Sequence, residues 1–527
     1  MVFARGDVSG HDDQALGMNH LHSGDDCGRK LTSAQEHHTS ASDITVVSWD
    51  GDKDPGNPYN WSPKQKWTLT AVAAFTTFIT MMNGTIITVA HEAINEEFNI
   101  SDASFPHSYW PVTSWAVGGS VSSLLILPLM EDFGVRWVFL ITYVAFLCFI
   151  IPQALAQNFA TLIVTRFFAG GCVSILANTS ATVIGNVWET EKARNIPVSL
   201  YIVTYLAGSS IGPVIGAPIY HYLSWRWIGY LQLIWCGALL PMYYFMFKEC
   251  RGTAILGQRA KALREDGVRA YSQHEIDSEG NSMLMIVVRS ATRPIILFFT
   301  ESVVFVSTLW SGFTVGTLYL FTQSVEQVFT GLYGWTPAQA GYVQAAIVIG
   351  EILGWVGTLF SGKLYFTSAS RNTEVPGTPI PEARLYLAIV GGMFGLSGGM
   401  FTYAWTSYPS LPWIAPAVGL AMVGAGGVIV VTGISDYVVD AYSKYAASAV
   451  GIMVAGENTF SGFLPLAAMS LYSTLGFNWA STVLAFISFG LSLAPILFVI
   501  WGKEIRARSP FMKEATMEKR TESIDSV

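Results

Sequence analysis

The sequence predicts an all-α membrane protein of twelve transmembrane helices in two six-helix bundles. Three observations carry this expectation. Twelve apolar stretches follow one another between residues 67 and 502, each long enough for a bilayer-spanning helix, which needs about 18 residues or more. Charged residues make up only 13% of the chain, against about 25% in a soluble domain. A polar interval at 248–293 divides the stretches six and six.

The spans are predicted at 67–91, 108–130, 137–156, 160–185, 196–220 and 226–247, and after the interval at 294–322, 337–362, 384–406, 412–434, 445–470 and 478–502. Residues 1–66 are expected to be a disordered tail, since Asp, Ser, Gly and His are abundant and large apolar residues few in its first part. His11, His20, His22, His37 and His38 raise the question of metal binding there. No Cys/His spacing of a structured site accompanies them, so a solvated tail is the plainer reading and no metal is expected. Pro55, Gly56 and Pro58 turn the chain before span 1, where Trp61 and Trp67 suit a headgroup interface. The interval 248–293 reads as a linker with a short surface helix near Arg259–Glu265, and residues 503–527 as a second tail.

Charge fixes the orientation. Arg136, Lys192, Arg194, Lys248, Arg251, Arg259, Lys261, Arg264, Lys363, Arg371 and Lys444 all fall in alternate loops, and Lys503, Arg506 and Arg508 in the C-terminal tail. The other loops hold Arg226 alone. Positive residues stay in the cytosol, so both termini are expected there. The start of the chain has no apolar core of a cleavable signal, leaving span 1 as the insertion signal.

Several function classes are excluded. No basic stripe with interleaved aromatics suggests nucleic acid. Too little polar sequence remains for a soluble catalytic domain, and no zinc motif occurs in the spans. The five cysteines are scattered and offer no disulfide framework. A phosphate-binding loop is absent too, so ATP is not expected as a driver and no cofactor is predicted.

A charge near the bilayer centre costs about 2.5–3.5 kcal/mol on the insertion scale and so asks for a reason. Glu457 falls near the middle of span 11, Glu351 near the middle of span 8, Glu301 in the inner third of span 7 and Arg166 in the outer third of span 4. A carboxyl group in apolar surroundings is able to bind and release a proton as its exposure alternates, which makes the three Glu residues candidates for proton coupling. The competing reading is a structural Glu paired with a neighbouring helix.

Gly208, Gly212 and Gly216 recur every four residues in span 5 and lay a groove on one helix face. Pro213 and Pro218 bend that helix. A rocking interface between the bundles is one reading, with Gly350 and Gly354 as an opposing groove; ordinary small-residue packing is the other. Asn83, Tyr109, Trp115, Trp310, Phe313 and Tyr319 are candidates to line an amphipathic substrate cavity, although most aromatics in a bundle merely pack. Asn99-Ile100-Ser101 in the first outer loop is a glycosylation acceptor pattern.

The six-plus-six layout with a central linker resembles the major facilitator superfamily. Gly208–Pro218 is similar to the antiporter motif of its drug:proton exporters, and Arg166-Phe-Phe-Ala-Gly170-Gly171 to their arginine motif. Asn57–Ser62, Trp225-Arg226-Trp227, Pro381–Leu385 and Gly502–Pro510 resemble the fungal twelve-span drug:proton antiporters. The resemblance covers nearly everything after Asp54. It implies a secondary active exporter that moves a small organic molecule (drug, toxin or secondary metabolite) out across the plasma membrane as protons enter. A monomer in the bilayer is expected, with Arg166 tied to proton coupling. An importer or organic-anion exporter in which Arg166 binds substrate, or a polyamine exporter, is the alternative. The loop after span 2 departs from the pattern: Glu131, Gly134 and Arg136 of the gating loop remain, but its first Gly and first Arg are lost. Span 11 also reads Gly456-Glu457-Asn458-Thr459 where the group often carries an Arg just afterwards.

Overall fold

The computed structural model describes residues 45–102, 105–125, 134–278, 283–372 and 377–514, and these pack as one unit. The first helix, α1 (Pro63–Thr85), starts where Ser62 caps it: the Ser62 side chain accepts from the Gln65 backbone and Gln65 reaches back, with Pro63 in the first turn. A short 3₁₀ turn leads to α2 (His91–Phe98), which ends on Asn99 in the left-handed region. Helices α3 (Trp110–Leu125), α4 (Val135–Ala154), α5 (Phe159–Val187), α6 (Glu191–Tyr222) and α7 (Arg226–Met246) complete the first half. Asn158 and Thr190 cap α5 and α6 by accepting from backbone N–H groups.

The linker folds as α8 (Gly252–Glu265), β2 (Ala270–Ser272) and α9 (Gln273–Ser278). Strand β1 (Thr45–Val47) pairs with β2 in parallel, Thr45 opposite Ala270. Buried Asp54 receives both terminal nitrogens of Arg259, at 2.6 and 3.0 Å, while its carboxylate also accepts from the Asp50 and Gly56 backbones. Residues 45–66, expected to belong to a disordered tail, are thus an ordered strap. A buried carboxylate supplied with that many donors fixes the turn that Pro55, Gly56 and Pro58 initiate.

The second half comprises α10 (Met283–Thr300), α11 (Ser302–Tyr333), α12 (Pro337–Val343), α13 (Ala345–Thr367), α14 (Leu385–Val390), α15 (Gly398–Thr406), α16 (Ile414–Tyr442) and α17 (Ala446–Arg508). A π-helical segment, Gly391–Ser397, joins α14 to α15, and its glycines let it lie against the backbone of α16 at Gly426. The break between α10 and α11 falls at Glu301, so the seventh apolar stretch begins later than its expected start at 294 and runs on to Tyr333.

Ten stretches among the described residues are long and apolar enough to cross a membrane, not the twelve expected. Two reasons account for the difference. Helix α3 is described for only 16 residues. Helix α17 takes in the last two predicted spans as one element of 63 residues. A straight helix of that length would run about 95 Å, yet Gly476 interrupts it with φ 76° and ψ 164°.

The two halves repeat one packing scheme. Glycines seat α3 on α5, with Gly118 against the Phe167 carbonyl and Gly170 against the Trp115 carbonyl. They seat α13 on α16 the same way, with Gly350 against the Ala421 carbonyl and Gly424 against that of Ile347. The halves meet along two seams, α3 with α17 and α6 with α13. One end of the molecule carries the strap and linker (the linker face); the other carries α2 and α12 (the opposite face).

Candidate functional site

A cavity of about 270 Å³ lies between the halves. At the linker face Glu191, Arg194, Arg384, Asp436 and Asp440 line it. Its walls are apolar and aromatic, including Ala177, Ile184, Tyr201, Tyr205, Val431 and Met453. At the deep end stand Trp115, Glu457 and Asn458. Glu457 is 3% exposed, and its Oε1 accepts from the Ser311 hydroxyl of α11. Trp115 stacks on Tyr319 with ring centres 6.3 Å apart, and its indole N–H donates to Asn83 Oδ1 at 3.1 Å.

The expected site residues therefore separate. Glu457 and Trp115 line the cavity; Asn83, Trp310, Phe313 and Tyr319 do not. Asn83 donates to Gln232 Oε1 at 2.5 Å and accepts from Trp115, so its amide is spent inside the first half. Trp310 and Phe313 are buried core residues, and Tyr319 stands behind Trp115. Tyr109 belongs instead to a recess on the opposite face.

The coupling candidates separate as well. Glu351 is fully buried in the α6–α13 seam, where the Ser210 hydroxyl donates to its Oε1 at 2.6 Å and its Oε2 has no partner among the described residues. Arg166, 1% exposed, makes four hydrogen bonds to three backbone carbonyls: that of Pro111 at 2.7 Å, that of Asn83 through both terminal nitrogens at 3.2 Å, and that of Gly84 at 2.7 Å. It satisfies carbonyls at the end of α1, a helix-terminal role for a cation, rather than pairing with a carboxylate among the described residues. Glu301 sits at the α10–α11 break, where its Oε2 accepts from the Tyr442 hydroxyl at 3.0 Å.

The glycine groove of α6 faces α1, not the other half. Gly208 abuts the Phe78 carbonyl, Gly212 meets Thr85 and Ile86, and Gly216 meets the Ile86 carbonyl. Gly350 and Gly354, offered as an opposing groove, rest on α16. Pro213 does reach across: its carbonyl lies beside Gly341 of α12. In the gating loop, Glu131 lies outside the described residues. Gly134 has φ 78°, and the Val135 and Arg136 amides donate to Glu249, which begins the linker. Arg136 also donates to the Tyr244 carbonyl at 3.2 Å, so its polar contacts stay within the first half and linker. Asn99 is exposed on the opposite face, beyond α2.

Two clusters escaped the sequence reading. On the linker face Arg384 donates from Nε to Asp440 at 3.0 Å, from a terminal nitrogen to Asp436 at 3.2 Å and Asn195 at 3.1 Å, and lies 3.5 Å over the Tyr365 ring. Tyr365 in turn donates to Glu191 at 3.1 Å, joining α13 to α6. On the opposite face His91 Nε2 and Glu326 Oε1 approach to 3.0 Å across the halves. Partners this far apart in the chain share no local pattern. The one signal was Pro381–Leu385, noted for its resemblance and not for the charge it positions.

The sequence profile of the Major Facilitator Superfamily matches residues 73–453. A transporter of Aspergillus oryzae, the MFS transporter cpaT, is 30% identical over 92% of this chain and 96% of its own length. The efflux pump atB of Aspergillus terreus is 28% identical, covering 88% of this chain and 90% of its own. The multidrug transporter mdrA of Aspergillus fumigatus is 30% identical over 90% of this chain and 77% of its own. Among solved structures, the proton:xylose symporter XylE superposes with a TM-score of 0.60 at 14% identity, over 84% of this chain and 96% of its own. With a fold of this kind, a cavity between its halves and relatives of this length, the chain belongs to the major facilitator superfamily of membrane transporters.

Proposed function

We propose that this transporter exports a small amphipathic organic molecule in exchange for protons, with the linker face in the cytosol. The observation that carries the reading is Glu457 at the deep end of an aromatic-walled cavity that reaches the linker face. A carboxylate beside Trp115, Tyr201 and Tyr205 suits a planar apolar or cationic molecule and is placed to trade it for a proton. The name of atB, an efflux pump, and of mdrA, a multidrug transporter, agree with export. The distribution of Lys and Arg supports a cytosolic position for the strap, linker and C-terminal segment. Twelve passes in two bundles of six, residence in the plasma membrane as a monomer and a glycan on Asn99 belong to the same proposal.

The organic-anion alternative has less behind it. Arg166 is fully engaged by carbonyls, and Arg384 is held by Asp436 and Asp440. An anion at the deep end would instead meet Glu457. The test uses vesicles oriented with the linker face outward, a proton gradient acid inside, and a fluorescent aromatic cation as probe. Accumulation of the probe inside, abolished by an uncoupler, is the expected result; accumulation that persists with the uncoupler, or that runs the other way, overturns the proposal.

A further inference from the structure

We infer that His91, Glu92 and Glu326 form a site for a divalent transition-metal ion of the zinc type, bridging the two halves on the opposite face. Each of these side chains offers a ligand atom, and the three atoms lie within 4.8 Å of one another. His91 and Glu92 open α2 in the first half, and Glu326 stands on α11 in the second. An imidazole with two carboxylates is the donor set that zinc accepts while keeping a position for water.

For the His91–Glu326 pair the geometry needs little adjustment, and Glu92 closes in on the ion from within 4.8 Å. Zinc–nitrogen and zinc–oxygen bonds of about 2.1 Å at a tetrahedral angle hold the two donor atoms about 3.4 Å apart. His91 Nε2 and Glu326 Oε1 stand 3.0 Å apart. An ion enters between them with a few tenths of an ångström of opening, and any proton on the ligating nitrogen leaves to water.

A second observation points the same way. The recess around this trio encloses about 710 Å³, and Tyr109, Asp102 and Gln323 line it too. The Tyr109 hydroxyl and Gln323 Oε1, on residues 2% and 4% exposed, have no hydrogen-bond partner among the described residues, and neither has His91 Nδ1. Buried polar atoms of this kind are ordinarily satisfied, and an ion with its bound water supplies donors and a centre for them. Asp102, which lines the recess, adds negative charge nearby. An ion here ties α2 to α11 and holds the opposite face closed.

The test is a titration of the purified full-length chain with zinc ion against a chromophoric chelator at neutral pH. Wild type and His91→Gln carry the same N-terminal histidines, so the difference between them isolates this site. Wild type should bind one more zinc than His91→Gln, and Glu326→Gln should weaken that zinc about tenfold or more. Glu326→His, which offers a second imidazole, should retain or tighten it. Zinc should also raise the unfolding temperature of wild type more than that of His91→Gln. Identical titrations of wild type and His91→Gln overturn the site. If His91→Gln does not fold, Glu326→Gln and Glu326→His decide, and zinc binding unchanged in both overturns it. The titration involves no substrate and no transport direction, so its failure is distinct from failure of the export reading.

Discussion

The two seams between the halves each carry one buried glutamate, and the two glutamates live in different surroundings. In the α3–α17 seam, hydroxyls bond chiefly to backbone: Thr113 donates to the Gly462 carbonyl at 2.8 Å and Ser120 to that of Ala455 at 3.0 Å, with the Ser120 and Thr459 hydroxyls also 3.2 Å apart. Glu457 turns from this seam into the cavity. In the α6–α13 seam, side chains bond to side chains along its length, at Ser210–Glu351, Ser199–Trp355 and Glu191–Tyr365, and Asn195 of α6 continues the line to Arg384, just before α14. Glu351 lies wholly within it. The same residue type at similar depth is thus a cavity group in one seam and an internal fastening in the other. If the halves rock, side-chain bonds across the second seam must be exchanged, whereas the first seam offers carbonyls at every turn to a sliding hydroxyl.

The largest expected effect comes from removing the cation at the linker-face end of the second seam. Arg384→Ala strips Asp436 and Asp440 of their shared partner, and breaking a buried pair in this way costs about 3–5 kcal/mol. The yield of folded protein and its unfolding temperature in detergent should both fall. Arg384→Lys keeps the charge but not the fork, and should recover only part of the loss. An Arg384→Ala protein as stable as wild type would reduce that end of the seam to a surface contact.

Next comes Gly212→Val. Because Gly212 rests on Thr85 and Ile86 of α1, overpacking there strains the first half and not the seam. A loss of stability of about 1–3 kcal/mol is expected, read as a lower unfolding temperature together with the loss of transport. Full stability with transport selectively lost would place the groove at the moving interface after all, and would break the contrast drawn between the seams.

The smallest effect concerns the strap, which lies outside both seams. The Arg259 guanidinium beside Asp54, aided by the Asp50 and Gly56 amides, holds its carboxyl well below the usual carboxylate range. A lowered folded-state value stabilises above the unfolded value, near pH ~3.9, and that contribution is lost as pH falls through the folded value. The strap should therefore stay protected from protease between about pH 5 and 8 and loosen only under strong acid. Release of the strap within the neutral range would contradict this assignment.

Much of the fold was legible in the sequence because a bilayer forces it: long apolar stretches separated by alternately charged loops leave little choice of element or of class. Boundaries were less so. Glu301 breaks a stretch that reads as continuous, and Gly476 bends a helix whose neighbours on both sides are apolar. At the site, depth was readable and facing was not. Glu351, Glu457 and Arg166 all stood out as charges within apolar stretches, yet only helix rotation decides that the first is sealed, the second lines the cavity and the third caps α1. The glycines of α6 announced a close contact without naming its partner. His91–Glu326 and Arg384–Asp436 are joined by tertiary packing alone, with no spacing to betray them.

Glu457 is the group we propose trades substrate for proton. Glu457→Gln keeps the shape and an acceptor for the Ser311 hydroxyl but has no proton to release. The decisive measurement compares Glu457→Gln with Glu351→Gln in vesicles, for uphill transport driven by a proton gradient and for exchange of labelled against unlabelled substrate without one. Glu457→Gln should lose uphill transport and keep exchange, while Glu351→Gln keeps both. Uphill, uncoupler-sensitive transport at the wild-type rate by Glu457→Gln would contradict the account.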